Sequence, residues 1–154
     1  MPSPLRLCVR RSPTPDAGDA AIVVTLRLPS DVGCIEEAVE LVTRHCLAGQ
    51  QALPRTRFRL QVVLSEALSN AIVRGNREDH SKWVDVRAEL FADVIKVYVT
   101  DQGAGFNPSN VPEPIGAAQV DEACGRGLYL IRKLVDSVQF NEQGNSICMT
   151  LRRP

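Results

Sequence analysis

Apolar and polar positions alternate with a period of two over residues 21–28, where Ile22, Val24, Leu26 and Leu28 interleave with Val23, Thr25 and Arg27. That pattern predicts a half-buried β-strand. Pro29-Ser30-Asp31 then starts a helix, with Ser30 as the predicted N-cap and Asp31 beside the positive end of the dipole. Val32, Ile35, Val39, Val42 and Cys46 repeat at helical spacing up to Gly49. A second helix is predicted over residues 54–74, stopped by Gly75-Asn76. Two strands follow. Val84, Val86, Ala88 and Leu90 share one face of residues 82–91, and Ile95, Val97 and Val99 share one face of residues 94–100. Residues 107–124, with Pro108, Pro112, Pro114 and Gly116, form a long loop of the kind that is functional or disordered in a small domain. A third helix opens at Gly125-Arg126-Gly127 and carries Leu128, Ile131, Leu134 and Val135. A hairpin pairs residues 138–141 with residues 146–151.

Two helices in succession and two hairpins do not make a doubly wound parallel sheet. The element order predicts an α+β fold, a mixed and mostly antiparallel sheet with three helices on one face. Residues 1–20, with Pro2, Pro4, Pro13 and Pro15, are expected to be a flexible irregular arm before a single domain at 21–154. The length of 154 residues fits one domain with a core that needs no disulfide. Eighteen Lys+Arg balance eighteen Asp+Glu, so the basic excess of a nucleic-acid footprint is missing. No apolar run approaches the roughly 20 residues that span a bilayer, and Arg6, Arg10 and Arg11 precede no signal-like apolar block. A cytoplasmic protein with no membrane and no direct nucleic-acid partner is expected. The five cysteines contain no CxxC pair and read as reduced thiols, and neither His45 nor His80 has ligand spacing to them.

On a helical wheel for residues 54–74, Leu60, Leu64, Ala67, Leu68 and Ala71 gather on one face. Glu66 and Asn70 fall one turn apart on another stripe, shared by Arg59 and flanked by Val62, Val63 and Val73. A carboxylate there can accept a proton, and an amide oxygen suits Mg²⁺. An acid and an amide at this spacing are also ordinary decoration of an exposed helix. Asp101-Gln102-Gly103-Ala104-Gly105 follows a strand directly, so its glycines permit either a plain turn or close approach to a ligand. Gly125-Arg126-Gly127 opens a helix, which is either an ordinary start or a phosphate site. Neither segment is a Walker A loop or a dinucleotide fingerprint.

The order of these segments resembles the ATP-binding domain shared by DNA gyrase, a heat-shock chaperone, histidine kinases and mismatch-repair proteins. Residues 63–76, VLSEALSNAIVRGN, are similar to its N box, and residues 101–106, DQGAGF, to its first glycine box. Residues 125–131, GRGLYLI, with Val135-Asp136 beyond, are similar to the second, and Gly144-Asn145-Ser146-Ile147 stands where Gly-Thr-Thr-Val is usual. The small bacterial anti-sigma factor serine/threonine kinases are the most similar subgroup.

The resemblance implies a two-layer α/β sandwich, the Bergerat fold, using ATP and Mg²⁺. It implies Glu66 as general base, Asn70 as Mg²⁺ ligand and Asp101 as acceptor for the adenine amino group. Gly103 and Gly105 would hinge an ATP lid at about 106–124. Gly125 and Gly127 would wrap the phosphates, with Arg126 supplementing their charge, and Ser146 would help fix the adenine end. Asn145 in place of Thr and Arg74 in place of His are departures. The implied activity is phosphorylation of an anti-anti-sigma partner with a STAS domain and sequestration of a sigma factor, in a subgroup where homodimers are common. An ATP-gated binding module without turnover and an ATP hydrolase are the alternatives.

Overall fold

The computed structural model describes residues 3–47, 54–105 and 123–153, with side chains in the last segment from Arg126 onward. The strands are β1 (Arg6–Arg11), β2 (Ile22–Pro29), β3 (Trp83–Leu90), β4 (Val94–Thr100), β5 (Ser137–Phe140) and β6 (Ser146–Arg152). The helices are α1 (Ile35–Cys46), α2 (Pro54–Ser69) and α3 (Ala123–Leu134). A 3₁₀ turn over Val32–Cys34 leads into α1, and a wide π turn over Asn70–Gly75 continues α2.

The six strands form one sheet in the order β1-β2-β3-β4-β6-β5. Every pairing described is antiparallel, so the sheet is not mixed as expected. The reason is the crossover after β4: α3 returns the chain to the edge as β5, and the β5–β6 hairpin then inserts β6 against β4. Period-two alternation survives in register. Val24, Ala88, Val97 and Met149 stand side by side across four strands and are all fully buried. Leu26, Val86 and Val99 make the neighbouring row. Ala38 and Val42 of α1, Leu60, Leu64 and Leu68 of α2, and Ile131 of α3 join these rows in one core. The three predicted helices therefore cover one face, and the α+β class stands.

The expectation of an irregular arm over 1–20 is corrected at residues 6–11. This segment is β1, paired residue for residue with β2, from Arg6 opposite Arg27 to Arg11 opposite Ile22. Its residues are largely exposed, so the strand is held by the free edge of β2, with Leu5 and Val9 packed against the core. The prolines bracket this strand and do not interrupt it, as edge strands allow.

The predicted cap is also corrected. Asp31, not Ser30, caps the 3₁₀ turn by accepting the Gly33 N–H at 2.9 Å. Ser30 is fully buried, and its hydroxyl donates to the Lys82 carbonyl oxygen at 2.8 Å. α1 ends at Cys46, and Gly49, its expected stop, lies outside the described residues.

Candidate functional site

The π turn at the end of α2 shapes the site. Turns closing over more than four residues are uncommon and gather at functional places. Here the Asn76 N–H bonds to the Ala71 carbonyl at 2.8 Å, and the Glu78 N–H reaches the Ile72 carbonyl at 2.8 Å. Arg77 and Glu78 then take left-handed backbone conformations, at φ 53° and 56°. Such residues cost free energy when they are not glycine, and they turn the chain sharply back toward β3.

Asn76 holds this corner and is buried to 1% exposure. Its amide donates to the Ser30 hydroxyl at 2.9 Å and to the Trp83 carbonyl at 3.0 Å. Its oxygen accepts the Gln102 N–H at 2.8 Å. One side chain thus joins the ends of α2 and β2, the start of β3 and the glycine turn after β4. The sequence marks Asn76 as part of a helix stop and as the last residue of the segment similar to the N box, without a role of its own. Its proximity to Gly75 was visible, but its partners far along the chain left no local trace.

The glycine turn lies directly on the π turn. A Cβ on Gly75 would fall 2.3 Å from Asp101 Oδ2, and one on Gly103 would fall 2.1 Å from the Gly75 carbonyl oxygen. Asp101 Oδ1 accepts the Gly103 N–H at 2.7 Å, while Oδ2 has no hydrogen-bond partner among the described residues. Burial raises the Asp101 carboxyl above its ordinary value, against the lowering effects of the Gly103 N–H and the Lys82 charge. The backbone of Asp101 is pinned from the other side. Its N–H donates to the Asn145 carbonyl at 2.9 Å, and its carbonyl accepts from the Asn145 side chain at 3.0 Å. Asn145, noted as a departure, therefore braces Asp101. Gly105 sits at φ +85°, where its missing Cβ leaves room for the Gln143 carbonyl.

Glu66 and Asn70 are half-buried, and neither side chain has a hydrogen-bond partner among the described residues. Both face the start of α3. A Cβ on Gly127 would stand 3.0 Å from Glu66 Oε2 and 3.2 Å from Asn70 Nδ2. A Cβ at Gly127 would press on both polar groups, which would have to give by a few tenths of an ångström.

Between these contacts runs a cavity of about 580 Å³, lined by Asn70, Asp101, Gly103, Gly105 and Ser146 among others. Ala67, Val99, Leu128 and Ile147 add apolar surface, and Arg74, Arg77 and Lys82 add positive charge. The Ser146 hydroxyl shares a 2.7 Å hydrogen bond with Thr100 Oγ1. The structure brings Glu66, Asn70 and Gly127 against one another and places Asn70, Asp101, Gly103, Gly105 and Ser146 around the cavity, whose lining does not include Glu66 or Gly127. Arg126 is exposed and does not line the cavity. Val73, expected to flank the stripe, is 40% exposed, since the π turn departs from the helical wheel. Arg59 is turned to the far end of α3. Gly125 lies within α3, and the expected lid at 106–124 falls almost wholly outside the described residues.

Residues 19–151 match the family model of the histidine kinase-like ATPase domain, and the chain belongs to that family. It is similar to serine-protein kinase RsbW of Bacillus subtilis (strain 168), 33% identical over 98 residues, which is 59% of this chain and 61% of that protein. RsbW of Listeria innocua is 29% identical over 59% of this chain and 62% of its own length. RsbW of Staphylococcus aureus (strain JH9) is 31% identical over 58% and 62%. The chain spans about three fifths of the length of these curated relatives. The family agrees with the one the sequence motifs resemble. Among the described residues no helix is long and apolar enough to cross a membrane.

Proposed function

We propose that this protein is an Mg²⁺-dependent serine/threonine kinase that transfers the terminal phosphoryl group of ATP to a partner protein and acts as an anti-sigma factor. The observation that carries this is the seating of Gly127 on Glu66 and Asn70, with Asn70 lining the same cavity as Asp101. The donor set suits the ligand. The Asn70 amide oxygen is a hard oxygen donor, matching Mg²⁺ with its retained waters, and the Glu66 carboxylate beside it is left to accept a proton. The backbone at the start of α3 offers N–H groups to phosphate oxygens. Bound Mg²⁺ and ATP supply an electrophilic phosphorus whose charge the metal offsets.

The chain's own residues do the rest. Asn70 would hold the metal, and Gly125 and Gly127 would admit phosphate oxygens close to the backbone. Asp101 Oδ2, which has no hydrogen-bond partner among the described residues, accepts from the adenine amino group, and Ser146 lines the same cavity. Glu66 takes the proton of the incoming Ser or Thr hydroxyl as that oxygen bonds to phosphorus and ADP departs. Positioning and charge neutralisation account for most of the rate in such transfers. The proposed partners are a sigma factor, held inactive, and an anti-anti-sigma protein with a STAS domain carrying the phosphoacceptor. The subgroup's homodimer belongs to the same proposal.

The relatives named as serine-protein kinases support the activity, as does a carboxylate that a module serving only to bind ATP would not need. Incubation with labelled ATP and a purified STAS-domain protein tests it. Label on the partner is the expected result, and free phosphate without labelled partner points to the hydrolase.

Two variants probe the adenine end. In Asp101→Asn the amide oxygen takes over the Gly103 N–H, so the NH₂ group faces the adenine amino group. Donor against donor costs about 1–3 kcal/mol, a rise in the Kd for Mg·ATP of roughly fivefold to 150-fold. Calorimetry reads this directly, and an unchanged Kd removes Asp101 from base recognition. In Gly103→Ala the new methyl collides with the Gly75 carbonyl oxygen. Overpacking of this kind costs about 1–3 kcal/mol, and here it moves Asp101 as well. A lowered Tm together with weaker Mg·ATP binding is expected.

A further inference from the structure

We propose that Arg59 is a positioning residue for the phosphate end of the cavity: it ties the C-terminal end of α3 to α2 and so sets how the start of α3 meets Glu66 and Asn70. This rests on the cavity being the Mg·ATP site.

Arg59 Nε donates to the Leu134 carbonyl oxygen at 2.5 Å, and Nη2 donates to Asp136 Oδ2 at 3.3 Å. The Arg59 side chain is 19% exposed. Leu134 is the last residue of α3, so its carbonyl has no partner within the helix and lies at the negative end of the dipole. Asp136 is itself anchored to β6. Its Oδ2 accepts the Arg152 N–H at 2.7 Å, and its own N–H donates to the Thr150 carbonyl at 2.9 Å. The Arg152 N–H foremost, and Arg59 after it, hold the Asp136 carboxyl below its ordinary value. Arg59 therefore grips a point fixed to both α3 and the sheet.

The spacing makes this grip matter at the other end. Arg59 and Glu66 lie two turns apart on one stripe of α2, and Gly127 and Leu134 lie two turns apart on α3. The helices run antiparallel, so Glu66 meets Gly127 where Arg59 meets Leu134. Two contacts set the sliding and tilt of one helix on the other. The Gly127 contact is close, with Glu66 Oε2 at 3.0 Å from where a Cβ of Gly127 would stand. The Arg59 contact is the only one of the two made by hydrogen bonds among the described residues. Releasing it frees α3 to shift its glycines relative to Asn70, while Asp101 stays braced by Asn76-bound Gln102 and by Asn145.

The effect is thus confined to the phosphate end. The experiment measures Kd by calorimetry for Mg·ATP and, by NMR titration, for AMP, in wild type, Arg59→Ala, Arg59→Lys and Asp136→Asn, with Tm recorded for each. Arg59→Ala is expected to raise the Kd for Mg·ATP about tenfold, the scale seen for groups that orient a ligand from behind, and to leave AMP binding unchanged. Arg59→Lys keeps the charge but serves one acceptor at a time, so it recovers part of that loss. Asp136→Asn weakens Mg·ATP in the same direction and stands in if Arg59→Ala does not fold. A lowered Tm with unchanged Mg·ATP affinity, or equal losses for Mg·ATP and AMP, overturns the positioning role. Wild-type protein that binds neither nucleotide overturns the ATP site itself, and the positioning role with it.

Discussion

Glu66→Gln is expected to bind Mg·ATP about as tightly as the wild type and to transfer phosphate at least about a hundredfold more slowly, the lower bound of general-base catalysis. The substitution keeps the shape of the side chain beside Gly127, so the start of α3 keeps its seat. It removes a carboxylate that, by this account, takes the proton from the hydroxyl. Single-turnover transfer from labelled ATP to a purified STAS-domain protein gives the rate, and calorimetry on the same preparation gives the affinity. Loss of both together would mean that Glu66 shapes the cavity. Loss of neither would remove it from the chemistry and leave ATP-gated binding as the better account.

Asn70→Ala should act on the other quantity. If Asn70 holds the metal as proposed, removing the amide oxygen takes away that ligand, and the Kd for Mg·ATP is expected to rise about a hundredfold or more, equivalent to ~2.7 kcal/mol. The fold should hold. Asn70 is half-buried, has no hydrogen-bond partner among the described residues and packs in no core row, so its truncation opens no large cavity. A thermal melt near that of the wild type, with calorimetry showing the lost affinity, is the expected pair of results. ATP titrated without Mg²⁺ supplies the control, because the two proteins should then differ little.

Much of the fold could be read where one period governs a segment. In residues 94–100 the apolar face of Ile95, Val97 and Val99 recurs at every second position, and the segment is β4 at those bounds with burial alternating throughout. The stripe carrying Glu66 and Asn70 stood out because the apolar face of α2 fixed the wheel. What escaped depended on partners remote in the chain. β1 exists because β2 has an edge to pair, and its arginines and flanking prolines carry no burial signal. Ser30 and Asp31 are both good caps by type, and only the buried corner with Asn76 and Lys82 decides which one is free to cap. The π turn over Asn70–Gly75 cannot be anticipated from a regular wheel, so Val73 was placed wrongly while Asn70, at its start, was not. The grip of Arg59 on Leu134 and Asp136 was hidden for the same reason, although the stripe it occupies was plain.

A crystal structure with Mg²⁺ and a non-hydrolysable ATP analogue tests the central assignment most directly. The expected complex has the metal on the Asn70 amide oxygen, phosphate oxygens against the backbone of Gly125 and Gly127, and the adenine amino group on Asp101 Oδ2. An analogue bound outside this cavity, or a metal held without Asn70, would contradict it.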